Sequence, residues 1–331
     1  MDWLPTASVV ALALAFTYTN GFHDSANAVA TSVSTRALTP RVAVTLAAAA
    51  NLIGAFFGAR VAQTVGSGII EAPRGNSGLL LCAAALVGAT TWNLVTWARG
   101  LPSSSSHALI GGLGGAALAS GSEVLWGGVT KLVLLPMLAS PLLGLLLGYA
   151  VMAAIMWAFR SRPAASVARG FRLAQTVSAA GMAFGHGMQD AAKTAGVVVL
   201  ALTVSGHHAD GSAAIPIWVL VLCAAVLSLG TYAGGWRIMR TLGQRIIDLE
   251  SPQGFAAEVS AAAILFVATA LRAPISTTQA ITAAILGAGA TRGTKAVRWQ
   301  VARDIGWAWL LTFPGAGLLA ALSWYALHLL A

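Results

Sequence analysis

The stretches Asn20-Gly21-Phe22-His23-Asp24-Ser25-Ala26-Asn27-Ala28 and Pro102-Ser103-Ser104-Ser105-Ser106-His107-Ala108 are each echoed later in the chain. The echoes are His186-Gly187-Met188-Gln189-Asp190-Ala191-Ala192-Lys193-Thr194 and Pro274-Ile275-Ser276-Thr277-Thr278-Gln279-Ala280. Asp24 and Asp190 stand 166 positions apart and Pro102 and Pro274 stand 172 apart, so the 331 residues read as two diverged halves. All four stretches set ionisable or hydroxyl-bearing residues inside runs that are otherwise apolar.

Composition agrees with that pattern. The chain is 57% hydrophobic and only 9% charged, with a mean hydropathy of +0.79. Soluble domains carry about a quarter of their residues as charges, so this is an integral membrane protein. The run Met1–Thr19 has an acid at Asp2 and no base before its apolar part, unlike the cationic start of a cleaved leader. It reads as the beginning of the first span. Cys82 and Cys223, the only cysteines, each sit in an apolar segment, which excludes a disulfide framework and gives no metal-ligand spacing. No resident metal or cofactor is expected. The net charge of +9 does not indicate nucleic-acid binding, because the bases fall in short links between apolar segments.

A crossing needs about 20 apolar residues. Segments of that kind run near 7–33, 42–59, 78–98, 103–120 and 132–159, then near 173–205, 215–234, 255–271, 275–291 and 299–329. If the N-terminus is outside and every segment crosses, the inner links hold 14 of the 19 Lys and Arg residues and the outer links hold only Arg60, Arg74, Lys131 and Arg272. Lys193 lies at membrane depth. That split follows the positive-inside rule. Five crossings per half insert the halves in opposite senses, the architecture of many secondary transporters. The fold expected is an all-α polytopic membrane protein of two inverted-topology repeats, 1–163 and 164–331. It has about ten membrane segments, with broken helices and Pro-led half-helices or re-entrant hairpins.

The buried polar groups then divide by chemistry. Charges at mid-bilayer face a cavity or a partner and are functional by default, which singles out Asp24, Asp190 and Lys193. Gly21 and Gly187, three before each acid, allow the backbone to leave helical geometry and expose carbonyls beside the carboxylates. Pro102 and Pro274 suit a helix start, and Ser104, Ser105, Ser106, Ser276, Thr277 and Thr278 then sit where first-turn N–H groups lack intrahelical partners. Such a terminus binds anions. The alternative is that these hydroxyls only cap their helices, and that Lys193 only pairs with the acids. Donors for an oxyanion beside carboxylates for a cation or proton is symport chemistry. A channel would need a continuous polar lining, and an intramembrane enzyme would need an activated nucleophile. Neither a Gly-x-Ser-x-Gly elbow nor a His-Glu-x-x-His element is present.

At these residues the chain resembles the inorganic phosphate transporter (PiT) family, in its bacterial low-affinity permease branch. The likeness lies in Gly21–Thr31, Pro102–Ala108, Gly235–Gly243 and Ala273–Thr278, and so extends over nearly the whole chain. It implies a phosphate site at Ser104, Ser105, Ser106, Ser276, Thr277 and Thr278; Lys193, read from its own buried charge, joins that site and offsets the acids. It also implies cation or proton coupling at Asp24, Asn27 and Asp190; His23 beside them is read either as a proton carrier or as a hydrogen-bonding link between helices. The family implies homodimers with inverted repeats; contact with lipid in the plasma (inner) membrane and transport by one half rocking against the other are the expectations for this chain. Gln279 replaces the family's usual His, and Gln189 replaces a common Asn. His23 stands where the sodium-coupled branch has Asn, which favours protons as the driving ion and phosphate imported free or as a divalent-metal complex. Sodium coupling and sulfate as the anion are the alternatives.

Overall fold

The computed structural model describes residues 3–209 and 214–330, so Asp2 lies outside the described residues. In chain order the helices are α1 (Trp3–Ser34), α2 (Pro40–Gly54), α3 (Ala59–Ser67), α4 (Asn76–Ala98), α5 (Ser105–Ser120) and α6 (Trp126–Gly128). A π-turn, Val129–Leu134, joins α6 to α7 (Leu135–Ala158). There follow α8 (Ala164–Val204), α9 (Ile217–Ala233), α10 (Trp236–Arg240), α11 (Ser251–Ala270), α12 (Thr277–Ala290) and α13 (Trp299–Leu330). Two short strands, β1 (Ile70–Glu71) and β2 (Glu123–Val124), pair antiparallel.

The chain is thus all-α in its membrane part. Among the described residues, five helical stretches are long and apolar enough to cross a bilayer, or six if the bent pair formed by α9 and Trp236–Arg245, which turns through 58°, counts as one. Each of the ten apolar segments read from the sequence coincides with a helix, although length and hydropathy qualify only these as spans. Large apolar residues recur at helical spacing on outward faces, as in Leu135, Leu138, Leu142, Leu146 and Tyr149 on α7, and Trp307, Leu310, Leu311 and Leu318 on α13. In water such faces aggregate; in a multi-pass membrane protein they are the required exterior.

Two expectations change. The acid-bearing helices are not broken: α1 runs 32 residues straight through Gly21, and α8 runs 41 through Gly187. Packing accounts for this. A Cβ on Gly21 would fall 2.5 Å from Leu227 O on α9, and one on Gly187 would fall 2.3 Å from Asn51 O on α2. The glycines therefore let neighbouring backbones touch, a common use of small residues between membrane helices. Gly187→Ala should accordingly cost about 1–3 kcal/mol of stability, seen as a lowered midpoint in detergent melting.

The second change concerns the prolines. Pro102 and Pro274 do not occupy the first helical position. The chain stays extended through Ser104 and Ser276, which are the N-caps, and the helices begin at Ser105 and Thr277. The two helices are 16 and 14 residues long, about 24 and 21 Å at 1.5 Å per residue. Neither reaches across a hydrocarbon core of about 30 Å. Both are half-length helices that start inside the protein.

Packing exchanges the two halves. α5 lies against α13 and α4, and α12 lies against α7 and α11; α1 lies against α9, and α2 lies against α8. Each short helix thus leans on a long helix of the other half. At the edge of this assembly Glu250 caps α11 through a capping box with Gln253, and Arg292 bonds its carboxylate. That hydrogen bond holds the Glu250 pKa below the ordinary value. Two large apolar cores result, with a small third around Met152: Ala108 and Ala191 belong to one of the large cores, Ala26 and Ala280 to the other. The polar motifs fall at the seam between them.

Candidate functional site

All eleven residues singled out by sequence are buried, none more than 4% exposed, and hydrogen bonds join most of them into two groups that meet where Asp24 and Asp190 come close. On α1, Asn27 donates from Nδ2 to Thr278 Oγ1 at 2.9 Å and to Thr277 Oγ1 at 3.3 Å, both on α12. Thr278 donates to Asp24 Oδ1 at 3.4 Å. On α8, Lys193 donates from Nζ to Asp190 Oδ1 at 2.9 Å, to Ser106 Oγ at 2.6 Å and to the Ile275 carbonyl at 2.6 Å. Ser106 donates to the same carbonyl at 3.3 Å. The start of α5 therefore touches the extended segment before α12, and the four motifs share one location.

The hydroxyls divide their work. Ser104 accepts from His107 N and Ser276 accepts from Gln279 N, each at 3.2 Å, so both cap their helices. Capping uses one acceptor lone pair and leaves each O–H free to donate. Ser105 Oγ is buried with no hydrogen-bond partner, as is Asn27 Oδ1. Orphaned polar atoms are rare in native interiors, and two in one cluster point inward to something they can bond.

The acids sit close together. Asp24, His186 and Asp190 place ligand atoms within 4.8 Å of one another, a set suited to a cation. His186 Nε2 is 3.0 Å from Asp190 Oδ2, without hydrogen-bond alignment, and its Nδ1 is 3.1 Å from Asn51 Oδ1. His23 Nδ1 is 2.6 Å from Asp24 Oδ1, while its Nε2 lies 3.1 Å from Thr96 Oγ1 and 3.3 Å from Ser103 Oγ. It links the carboxylate to α4 and to the loop that feeds α5. Gln189 donates to Thr269 Oγ1 and Ala273 O and accepts from Ile275 N, bracing the segment ahead of α12.

Sequence reading passed over several of these groups. His186 was legible four positions before Asp190, the spacing that stacks two side chains on one helix face. Ser103, Thr96 and Asn51 carried no such signal. Glu258 is a further case. It is fully buried on α11 and accepts from Thr31 Oγ1 at 2.5 Å, from Gln175 Nε2 at 3.4 Å and from Ser178 Oγ. A single acid in an apolar helix was the clue. Its partners belong to α1 and α8, the same helices that carry Asp24 and Asp190.

The arrangement brings together two helix starts, several hydroxyls, one ammonium group and two carboxylates. That set can hold an oxyanion and a cation or proton together.

Comparison with known proteins bears on what the cluster serves. The model of the Phosphate transporter family matches residues 20–169 and 158–320. A probable low-affinity inorganic phosphate transporter of Mycobacterium leprae is 45% identical over 325 residues, covering 97% of this chain and 78% of that protein. One from Rhizobium meliloti is 45% identical over 326 residues, covering 98% and 96%. One from Bacillus subtilis is 38% identical over 327 residues, covering 98% of each. Among solved structures, one described as the sodium-dependent phosphate transporter superposes with a TM-score of 0.89 at 25% identity, over 99% of this chain and 100% of that one.

Proposed function

The chain belongs to the Phosphate transporter family, and on that premise we propose that it imports inorganic phosphate across the plasma membrane by proton symport. Its relatives are named as transporters and not as enzymes. Ser105, Ser106, Thr277 and Thr278, with the O–H groups of the capping Ser104 and Ser276, bond the phosphate oxygens, and Lys193 adds positive charge. Asp24, with Asn27 and His23, takes up and releases the driving proton or cation, and Asp190 belongs to the same coupling set. The observation that carries this reading is the convergence of both helix starts on both acids in one buried cluster.

The exchanged packing of the short helices supports treating residues 1–163 and 164–331 as inverted repeats. Alternating access then comes from one half rocking against the other. The apolar outer faces meet lipid, and the working unit is a homodimer. Asp24, His186 and Asp190 together favour a divalent metal travelling with the phosphate as cargo. Sodium as the driving ion is the second reading, favoured by the sodium-dependent structural neighbour.

Uptake of labelled phosphate into proteoliposomes, with proton, sodium and divalent-metal gradients imposed one at a time and sulfate as competitor, tests the reading. A proton gradient alone should drive accumulation against the phosphate gradient. Accumulation that needs sodium and ignores protons would select the second reading, and full competition by sulfate would reassign the anion. Ser105→Ala combined with Thr277→Ala removes two O–H donors, at about 1 kcal/mol each. It should raise the half-saturating phosphate concentration about tenfold or more. An unchanged value would exclude these hydroxyls from the anion site.

A further inference from the structure

The two acid motifs differ at one decisive place. Three residues after Asp24 stands Asn27, and three after Asp190 stands Lys193. On α1, Asp24 carries a carboxylate bonded by His23 and Thr278, and Asn27 Oδ1 is buried with no partner. On α8 a cage of three oxygens is already filled. A carboxylate oxygen of Asp190, the Ile275 carbonyl and Ser106 Oγ all lie 2.6–2.9 Å from the Lys193 ammonium. A carboxylate, a backbone carbonyl and a hydroxyl make the all-oxygen donor set that hard monovalent and divalent cations use.

Resting on the reading above, we propose that Lys193 is a tethered cation. Its Nζ fills the position that a transported cation takes in the other half, so that each transport cycle exchanges a driving ion only at the Asp24–Asn27 side. Asp190 then does not turn over its counter-ion. It stays neutralised by an ammonium group that cannot leave. Burial fits this role, since Lys193 is 2% exposed and its three donors meet three acceptors with none left over. The ammonium also links the ion side to the anion side, because Ser106 belongs to the phosphate-facing turn of α5. The fixed charge therefore serves both sites, and the protein needs one fewer mobile cation per phosphate.

The test is Lys193→Asn, which gives the second motif the residue of the first. In proteoliposomes the charge moved per phosphate, read from reversal potentials, should rise by about one elementary charge relative to wild type, with sodium stimulating uptake more than it does in wild type. A ratio and ion dependence equal to wild type in an active variant would overturn the proposal. A second readout does not need transport. Sodium should raise the melting temperature of purified Lys193→Asn further than that of wild type or of Lys193→Met. Sodium stabilisation equal in wild type and in Lys193→Asn, or absent from Lys193→Asn, would also overturn it. Failure of wild type to accumulate phosphate at all would instead count against the transport reading, and the melting experiment would still decide whether Lys193 fills an ion position.

Discussion

Asp24→Asn is expected to abolish phosphate accumulation while the protein still reaches the membrane and folds. Its carboxylate is 2% exposed and meets His23 at 2.6 Å and Thr278 at 3.4 Å. The amide keeps the shape and can still hydrogen-bond, but it can neither take up a proton nor neutralise a cation. Losing one member of a buried charge pair costs about 2–5 kcal/mol. That is about 30-fold or more in the binding constant of the driving ion, so uptake at physiological gradients should fall below detection. The neighbouring carboxylate, Asp190, is already bonded to Lys193. Retained accumulation in Asp24→Asn, measured in proteoliposomes at matched protein density, removes Asp24 from the coupling role.

Asp190→Asn should behave differently, although the two motifs look alike in sequence. Asp190 is fully buried and is the anionic partner of Lys193 at 2.9 Å, with His186 3.0 Å away on its other oxygen. Neutralising it strands a buried ammonium group, a loss of about 3–5 kcal/mol when a buried ion pair is broken from one side. Stability is the first casualty here, and uptake falls with it. The expected signature is a strongly lowered melting point and reduced membrane yield. Asp190→Asn combined with Lys193→Met removes both charges and should recover much of the stability without recovering transport. A cycle of the two single variants and the double measures their coupling directly. A melting point for Asp190→Asn equal to that of wild type would mean the ion pair contributes nothing.

Much of the architecture was legible because a bilayer allows few solutions. Apolar runs had to be helices, and each of those read from sequence is one. Asp24, Asp190 and Lys193 stood out as charges where charge is costly, and the Pro-led hydroxyl runs stood out because they recur. What could not be read was tertiary. Gly21 and Gly187 look like helix breakers on local grounds, yet α9 and α2 need that space for their own backbones, so the helices stay whole. Helix α5 starts three residues after Pro102 because Ser104 takes the cap, a choice fixed by the hydrogen bond from His107 N. Glu258, Thr96 and Asn51 come from separate helices and meet their partners only on folding. A single polar residue without a repeated neighbourhood carries little signal in one sequence.

The measurement that bears most directly on the whole account is a structure determined at saturating phosphate. Density for a tetrahedral anion is expected between the starts of α5 and α12, bonded by hydroxyls among Ser104–Ser106 and Ser276–Thr278 and beside Lys193 Nζ. An anion seated elsewhere, with these hydroxyls and Asp24 unchanged and bonded only to one another, would contradict it.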